Sequence, residues 1–409
     1  MNWLNECNIS NCLARLIFRV EKTSMTTLNQ IKKLSKQLLP VASALALTVG
    51  LAACGGGGDT TQGGGGDTAQ SGGTGSSAKD AIASPVSLTG AGASFPAPLY
   101  QGWFVALNQE VPNLEVNYQS VGSGAGVEQF TARTVDFGAS DVAMKDEEIA
   151  KVEGGVLMLP MTAGSIVLAY NLPGVEGLKI SQAVMGDIFM GNITKWNDPK
   201  IVADNPDATL PDKQIVVVHR SDGSGTTGVF TKNLSDMSPE FGEKIGEGKT
   251  VEWPTAKGKF IGGKGNEGVT AAVQQNEGAI GYVEYGYAKN NGIAMADIQN
   301  KDGNFVTPSD ENASATLAAV ELPENLRAFI VNAPGPDSYP IVSYSWMLVY
   351  PKYDDPMKAK AMEAMIEFGL NQGQQMAPAL GYVQLPDPVR QKVAAAADGL
   401  SPDYTITLK

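Results

Sequence analysis

From Pro85 onward, short apolar runs of strand length alternate with stretches of helical periodicity. That alternation constrains the chain more than any other feature, because strands separated by helices bury both faces of a sheet. The expected strands are Val86–Thr89, Glu115–Gln119, Val135–Ala139, Ile166–Asn171, Gln214–His219, Ile280–Tyr285 and Ser345–Tyr350. The product is an α/β protein with a mostly parallel sheet. One helix is written plainly. Asp355 stands at an N-cap position, Pro356 follows at the first helical position, and Met362, Met365, Ile366 and Gly369 recur on one face. A length of 409 residues allows one large two-lobed unit or two to three ordinary domains.

The segment before Pro85 reads as an address and a tether. Lys32, Lys33 and Lys36 form a positive region, followed by an apolar stretch from Leu38 to Leu51 that is too short for a comfortable membrane span. It ends Leu51-Ala52-Ala53-Cys54, similar to the bacterial lipobox, in which the cysteine is acylated and the chain is cut just before it. Residues 1–24 are therefore expected to be a non-native extension before a start at Met25, and 25–53 a lipoprotein signal peptide. Residues 54–84 are expected to be a lipidated Cys54 and a Gly-rich flexible tether, with tetraglycines at Gly55–Gly58 and Gly63–Gly66. The implied location is the periplasm or the outer cell surface, with membrane contact only through the lipid.

Cys7, Cys12 and Cys54 are the only cysteines and His219 the only histidine, so the folded body holds no disulfide and no Cys- or His-rich metal site. No cofactor is expected. The net charge of −13 leaves no basic face for nucleic acid. A small anion is another matter, since backbone N–H groups at helix starts create local positive potential whatever the overall charge.

Three segments place glycines and a hydroxyl between a strand and a helix. The first runs from Leu88 to Pro98, with Ser94 where a helix should begin. The second is Val121-Gly122-Ser123-Gly124-Ala125-Gly126-Val127. The third is His219-Arg220-Ser221-Asp222-Gly223-Ser224-Gly225-Thr226-Thr227-Gly228. Glycine lets main-chain amides approach an anion, and the helix dipole favours negative charge there. Singly, each is a weak signal better explained by helix capping alone; three together, one carrying Arg220, form a better signal. A fourth element, Val135 to Asp141, puts Asp141 just past a strand end, where ligands of open α/β sheets bind. Asp141 could also serve as an N-cap for an acidic helix starting near Lys145.

Two motifs mislead. Gly223 to Gly228 matches G-x-G-x-x-G, but the polar, Gly-rich run Gly242–Lys249 replaces the second strand and acidic residue that a dinucleotide site needs. Gly248-Lys249-Thr250 looks like a P-loop tail, but Glu243 stands where its first glycine belongs.

Taken together, Leu88 to Pro98, Thr134 to Asp141, Arg220 to Thr226, Gly262 to Gly268, Gly278 to Tyr285 and Gly381 to Pro386 closely resemble the PstS-type phosphate-binding proteins of ABC importers, with the motifs in the same order. The resemblance implies a periplasmic-binding-protein fold of type II, two α/β lobes joined by a two-stranded hinge with the ligand cleft between them. It suggests lobe one at 85–166 with 343–409, and lobe two at 167–342. Carried over by position, the phosphate ligands would be Ser94, the Phe95 amide, Ser123, Asp141, Arg220, Ser224, Gly225 and Thr226, with Asp222 orienting Arg220. The partners implied are inorganic phosphate and the membrane permease subunits of the importer, and the chain would act as a monomer without catalysis. Ser94 stands where the family often has Thr, which keeps the hydroxyl; Gly124-Ala125-Gly126 departs slightly from the usual Ser-Gly-Gly; His219 is peripheral.

All of these groups except Asp141 donate to an oxyanion, so they alone could not separate phosphate from sulfate. Asp141 can only accept, and so requires the proton that phosphate carries and sulfate lacks. An unpaired buried charge costs roughly 3–5 kcal/mol, on the order of 10²- to 10³-fold in affinity. Three other readings stand beside this one, the first being a phosphate sensor or surface adhesin that never delivers its cargo. The same fold could bind sulfate, molybdate or tungstate, against which Asp141 counts. A phosphatase-like hydrolase could use Ser123 or Ser224, but neither a histidine triad nor a carboxylate cluster for metal is visible to activate it.

Overall fold

The computed structural model describes residues 78–409. The expected extension, the signal peptide, the Cys54 lipidation site and the Gly-rich run through Ser77 lie outside the described residues. The end of the expected tether does not behave as one. Ala78–Ala81 form a short helix, Ile82 is fully buried, and Asn113 Nδ2 donates to Ile82 O at 3.1 Å. The reason is local composition: the glycine run has ended, and Ile82 brings apolar surface to bury.

Among the described residues, twelve strands follow: β1 (Val86–Gly92), β2 (Leu114–Ser120), β3 (Phe137–Ser140), β4 (Leu157–Asn171), β5 (Lys179–Ile180), β6 (Val216–Arg220), β7 (Lys259–Gly263), β8 (Ala279–Glu284), β9 (Ala294–Met295), β10 (Asp297–Gln299), β11 (Phe305–Val306) and β12 (Val342–Val349). The main sheet runs β2-β1-β3-β12-β4-β8-β6-β7 with β9 beside β4, and β11-β10-β5 form a small second sheet. All seven expected strands are present, six with ends shifted by a few residues and the expected Ile166–Asn171 as the second part of the longer β4.

The sheet is mixed rather than mostly parallel. β1 lies parallel to β2 and β3, and β6 parallel to β7 and β8, as βα units require. Between these groups β12 and β4 run antiparallel to their neighbours. The cause is the length of β4. Its first part, Leu157 to Ser165, pairs with β12, and its second, Ile166 to Asn171, pairs with β8. Ile166 N donates to Ile341 O at 2.9 Å where the chain returns. Two chain passages thus connect the β2-β1-β3-β12 half to the β8-β6-β7 half, which gives two α/β lobes and a two-stranded connection.

Only the second half of β4 was legible in the sequence, because Pro160 and Gly164 interrupt the first. Pro160 has its place. The register shifts between Ser345 and Trp346: Ser345 faces Thr162, Trp346 faces Pro160, and Met161 is left as the extra residue of a bulge. The helix Pro356–Leu370 is capped as expected, Asp355 Oδ1 accepting from Met357 N at 2.8 Å, with Met362, Met365, Ile366 and Gly369 on its buried side. Among the described residues no helix is long and apolar enough to cross a membrane.

Candidate functional site

Four turns converge because the parallel strands of each half carry their C-terminal ends toward the other half. The antiparallel pairings of β12 and β4 set β6 running against β1, β2 and β3. Ser94 follows the end of β1, Ser123 follows β2, Asp141 follows β3, and Arg220 closes β6. Close approach of these ends depends on glycine. A Cβ on Gly126 would lie 2.4 Å from Gly92 Cα, and one on Gly225 would lie 2.3 Å from Ser123 Oγ and 2.8 Å from Asp141 N. The turns from the two halves touch directly, Gly124 N donating to Gly223 O at 2.8 Å.

Asp141 is the centre of the arrangement. It is 1% exposed. Ser345 Oγ donates to Oδ1 at 2.9 Å, Thr226 Oγ1 donates to Oδ2 at 3.3 Å, and the Asp141 amide donates to Ser123 Oγ at 3.3 Å. Burial pushes its carboxyl up to about 7, against the opposing pull of Ser345, Arg220, Thr226 and Ser123. Asp141 does not cap the short helix Asp146–Ile149, whose N-cap is Lys145.

Arg220 has a side chain only 1% exposed, and its guanidinium is held by a fork. Nε donates to Asp222 Oδ1 at 2.8 Å and Nη2 to Asp222 Oδ2 at 2.5 Å. Nη1 turns inward to Thr226 Oγ1 at 3.4 Å. Burial pushes the Asp222 carboxyl up, but the Arg220 hydrogen bonds and charge, with the Gly265 amide, outweigh it and leave it below its ordinary value. Asp222 is thus a fixed anion whose partner aims one guanidinium edge at the site.

The helix Gly225–Met237 starts at the site. Ser224 is its N-cap, its Oγ accepting from Thr227 N at 3.0 Å, and the amides of Gly225 and Thr226 lie in the first turn, where helix amides lack intrahelical acceptors. Capping therefore accounts for the Ser224 oxygen and leaves its proton free to donate. Ser123 opens the helix Ser123–Thr131. Ser94 does not begin a helix: the helix Ala97–Glu110 starts after Pro96, and Ser94 Oγ instead accepts from the amide and the Nδ2 of Asn266, both at 3.0 Å. Phe95 is fully buried and its carbonyl accepts from Tyr382 Oη at 2.7 Å. The structure therefore brings Ser94, Phe95, Ser123, Asp141, Arg220, Ser224, Gly225 and Thr226 together as buried residues, with Asp222 half-buried beside Arg220.

Residues 64–371 match the PBP superfamily domain. Over 313 residues the chain is 46% identical to the phosphate-binding protein PstS of Pasteurella multocida strain Pm70, a match covering 76% of this chain and 89% of that protein. The chain belongs to the PstS family.

A PstS of Methanocaldococcus jannaschii is 35% identical over 380 residues, covering 87% of this chain and 93% of that one. Among solved structures, a human phosphate binding apolipoprotein superposes with a TM-score of 0.64 at 20% identity, covering 78% of this chain and 99% of that chain. The periplasmic phosphate-binding protein PfluDING, solved with phosphate bound, gives 0.63 at 20% identity over 79% and 96%. These likenesses establish the same fold, that of the periplasmic binding proteins.

In this PstS chain, sequence reasoning missed several polar residues of the cluster. Asn266 reaches Ser94 and Thr226 from the turn after β7, a strand–glycine–helix turn of the same design as the others, so the signal was there to be read. Ser345 gives no such signal, since it lies in the unbroken buried run of β12. Nor do the tyrosines that fix the backbone: Tyr282 Oη accepts from Arg220 N at 3.1 Å, and Tyr287 Oη donates to Ser94 O at 2.7 Å.

Proposed function

We propose that this chain is the solute-binding component of an ABC-type importer, taking up inorganic phosphate between its lobes and passing it to the permease subunits. The ligand groups are the hydroxyls of Ser94, Ser123, Ser224 and Thr226, the amides of Phe95, Gly225 and Thr226, the Arg220 guanidinium, and Asp141 as the acceptor for the ligand's own proton. The observation that carries this reading is the position of Asp141, a buried carboxylate ringed by Ser345, Thr226 and Arg220. A donor cage with one acceptor fits a hydrogen-bearing oxyanion and disfavours one without a proton.

Calorimetric titration of the purified protein with phosphate and then sulfate tests the reading. At about pH 9, well above the value of about 7 to which Asp141 is pushed, tight binding of phosphate and no heat with sulfate is expected; equal binding of both would remove it.

We further propose that the chain is anchored through lipidated Cys54 at the periplasmic face or outer surface, works as a monomer and has no catalytic activity. A binding role suits the serines. The Ser224 oxygen takes up Thr227 N, and the single histidine turns its Nδ1 to Arg220 O at 2.9 Å rather than to a serine. The mass of the mature N-terminal peptide tests the anchor.

A further inference from the structure

We propose that Asn266 is a positioning residue that sets the direction of the hydroxyl protons in the site, so that Ser94 and Thr226 meet the bound oxyanion as donors and never as acceptors. This rests on the phosphate reading above and adds a residue to it.

The orientation of the Asn266 amide is fixed by chemistry. A backbone N–H only donates, and Glu284 N lies 3.0 Å from Oδ1, so that atom is the oxygen and the NH₂ faces the other way. The NH₂ meets two hydroxyl oxygens, Ser94 Oγ at 3.0 Å and Thr226 Oγ1 at 3.2 Å. The Asn266 amide N–H adds a second donor to Ser94 Oγ at 3.0 Å. A serine oxygen has two lone pairs, and both are now taken, so the one remaining proton of Ser94 must point elsewhere.

Thr226 is in the same state. Its Oγ1 receives Asn266 Nδ2 and Arg220 Nη1, two groups that cannot accept. Its proton has Asp141 Oδ2 or an anion oxygen as its destination. Without Asn266 either hydroxyl could rotate and present a lone pair to the anion, which repels it. Asn266 is fully buried, so water does not compete for these bonds. It also joins the lobes, because Ser94 follows β1 and Thr226 lies in the helix after β6.

The test is phosphate calorimetry on the full-length protein with Asn266→Asp, Asn266→Ala, Ser94→Ala, and Asn266→Ala combined with Ser94→Ala. A carboxylate accepts where the amide donates, and would turn both hydroxyls around. Asn266→Asp should lose on the order of 100-fold or more in affinity and Asn266→Ala about 10-fold. A space-filling role predicts the reverse order, since Ala leaves the hole and Asp does not; that order overturns the proposal.

A carboxylate also repels any anion, so the combined variant decides independently, and does so even where Asn266→Asp fails to fold. If Asn266 acts through the hydroxyls, its Ala substitution should cost only about 3-fold once the Ser94 hydroxyl is gone. The full 10-fold loss persisting in that background overturns it. Failure of the unmodified protein to bind phosphate would instead remove the underlying reading.

Discussion

Ser345 Oγ lies 2.9 Å from Asp141 Oδ1, at the point where the pairing of β12 with β4 shifts register. The carboxylate is thereby divided. One oxygen is committed to Ser345, and the other faces Thr226. Ser343 Oγ holds the Asp141 carbonyl at 3.0 Å, so the backbone is fixed as well. An acceptor held this firmly cannot swing away from an unsuitable ligand.

Asp141→Asn should therefore relax sulfate rejection while phosphate binding persists. The amide donates to either anion, so the unpaired lone-pair contact disappears. At about pH 9, where Asp141 of the parent is ionised, sulfate affinity should rise on the order of 10²-fold. Competition of sulfate against phosphate in the variant measures it, and undiminished exclusion would sink the idea.

The pH dependence follows from the Asp141 carboxyl being pushed up to about 7. Phosphate binding needs one proton between Asp141 and the anion, and either partner can bring it. Sulfate needs Asp141 itself to be protonated. Sulfate binding should therefore strengthen as pH falls through about 7 while phosphate affinity stays nearly level. Ser345→Ala removes a bond that favours the ionised form and should move the sulfate midpoint to higher pH. Other titratable groups surround Asp141: Glu284, Tyr100, Tyr118, Tyr287 and Tyr382, all pushed up by burial. Asp141→Asn isolates its share, because the sulfate curve should become flat in that variant. A persisting slope would assign the proton to another group.

Much of the site was legible because its parts are local. Gly122, Gly126, Gly223 and Gly225 announce sharp backbone next to Ser123 and Ser224, and such turns recur only where strands give way to helices. The same logic should have reached Asn266. What stayed hidden is what depends on pairing across the sheet. Nothing near Ser345 in sequence indicates that it opposes Thr162 or reaches Asp141, 204 positions away. The mixed sheet was hidden for the same reason: whether β4 runs against β12 and β8 is settled by long-range pairing, and Pro160 masks the strand itself.

Arg220→Ala should weaken phosphate and sulfate together, because a guanidinium does not sense the ligand's proton. Asp222 would then be left half-buried without its partner, so the loss should exceed a single hydrogen bond, about 100-fold or more. Parallel titrations with both anions check this, with sulfate measured in the Asp141→Asn background where it binds. A loss confined to one anion would contradict it.

Gly225→Ala tests the close contact of the two halves. The added methyl would lie 2.3 Å from Ser123 Oγ and 2.8 Å from both Asp141 N and Cβ, and two of these atoms cannot move without shifting a strand end. The turns should be forced apart, with phosphate affinity falling at least 10-fold while far-ultraviolet circular dichroism stays unchanged. Unaltered affinity would mean that the site tolerates a gap between its lobes.

Stability without phosphate should carry the signature of Asp141. Its ordinary value is 3.8, and in the fold it is pushed up to about 7. Well below 3.8 the carboxyl is protonated whether the chain is folded or not, and no penalty exists. As pH rises from about 4 to 7, the unfolded chain releases the proton while the folded protein keeps it, so stability falls; above 7 the loss is complete. The side-chain amide of the Asp141→Asn variant cannot ionise and escapes the penalty. Urea denaturation of phosphate-free protein should show Asp141→Asn gaining on its parent as pH rises, by on the order of 2–4 kcal/mol between about pH 4 and pH 8. A difference that stays constant across that range would show that Asp141 is not held in a desolvated place.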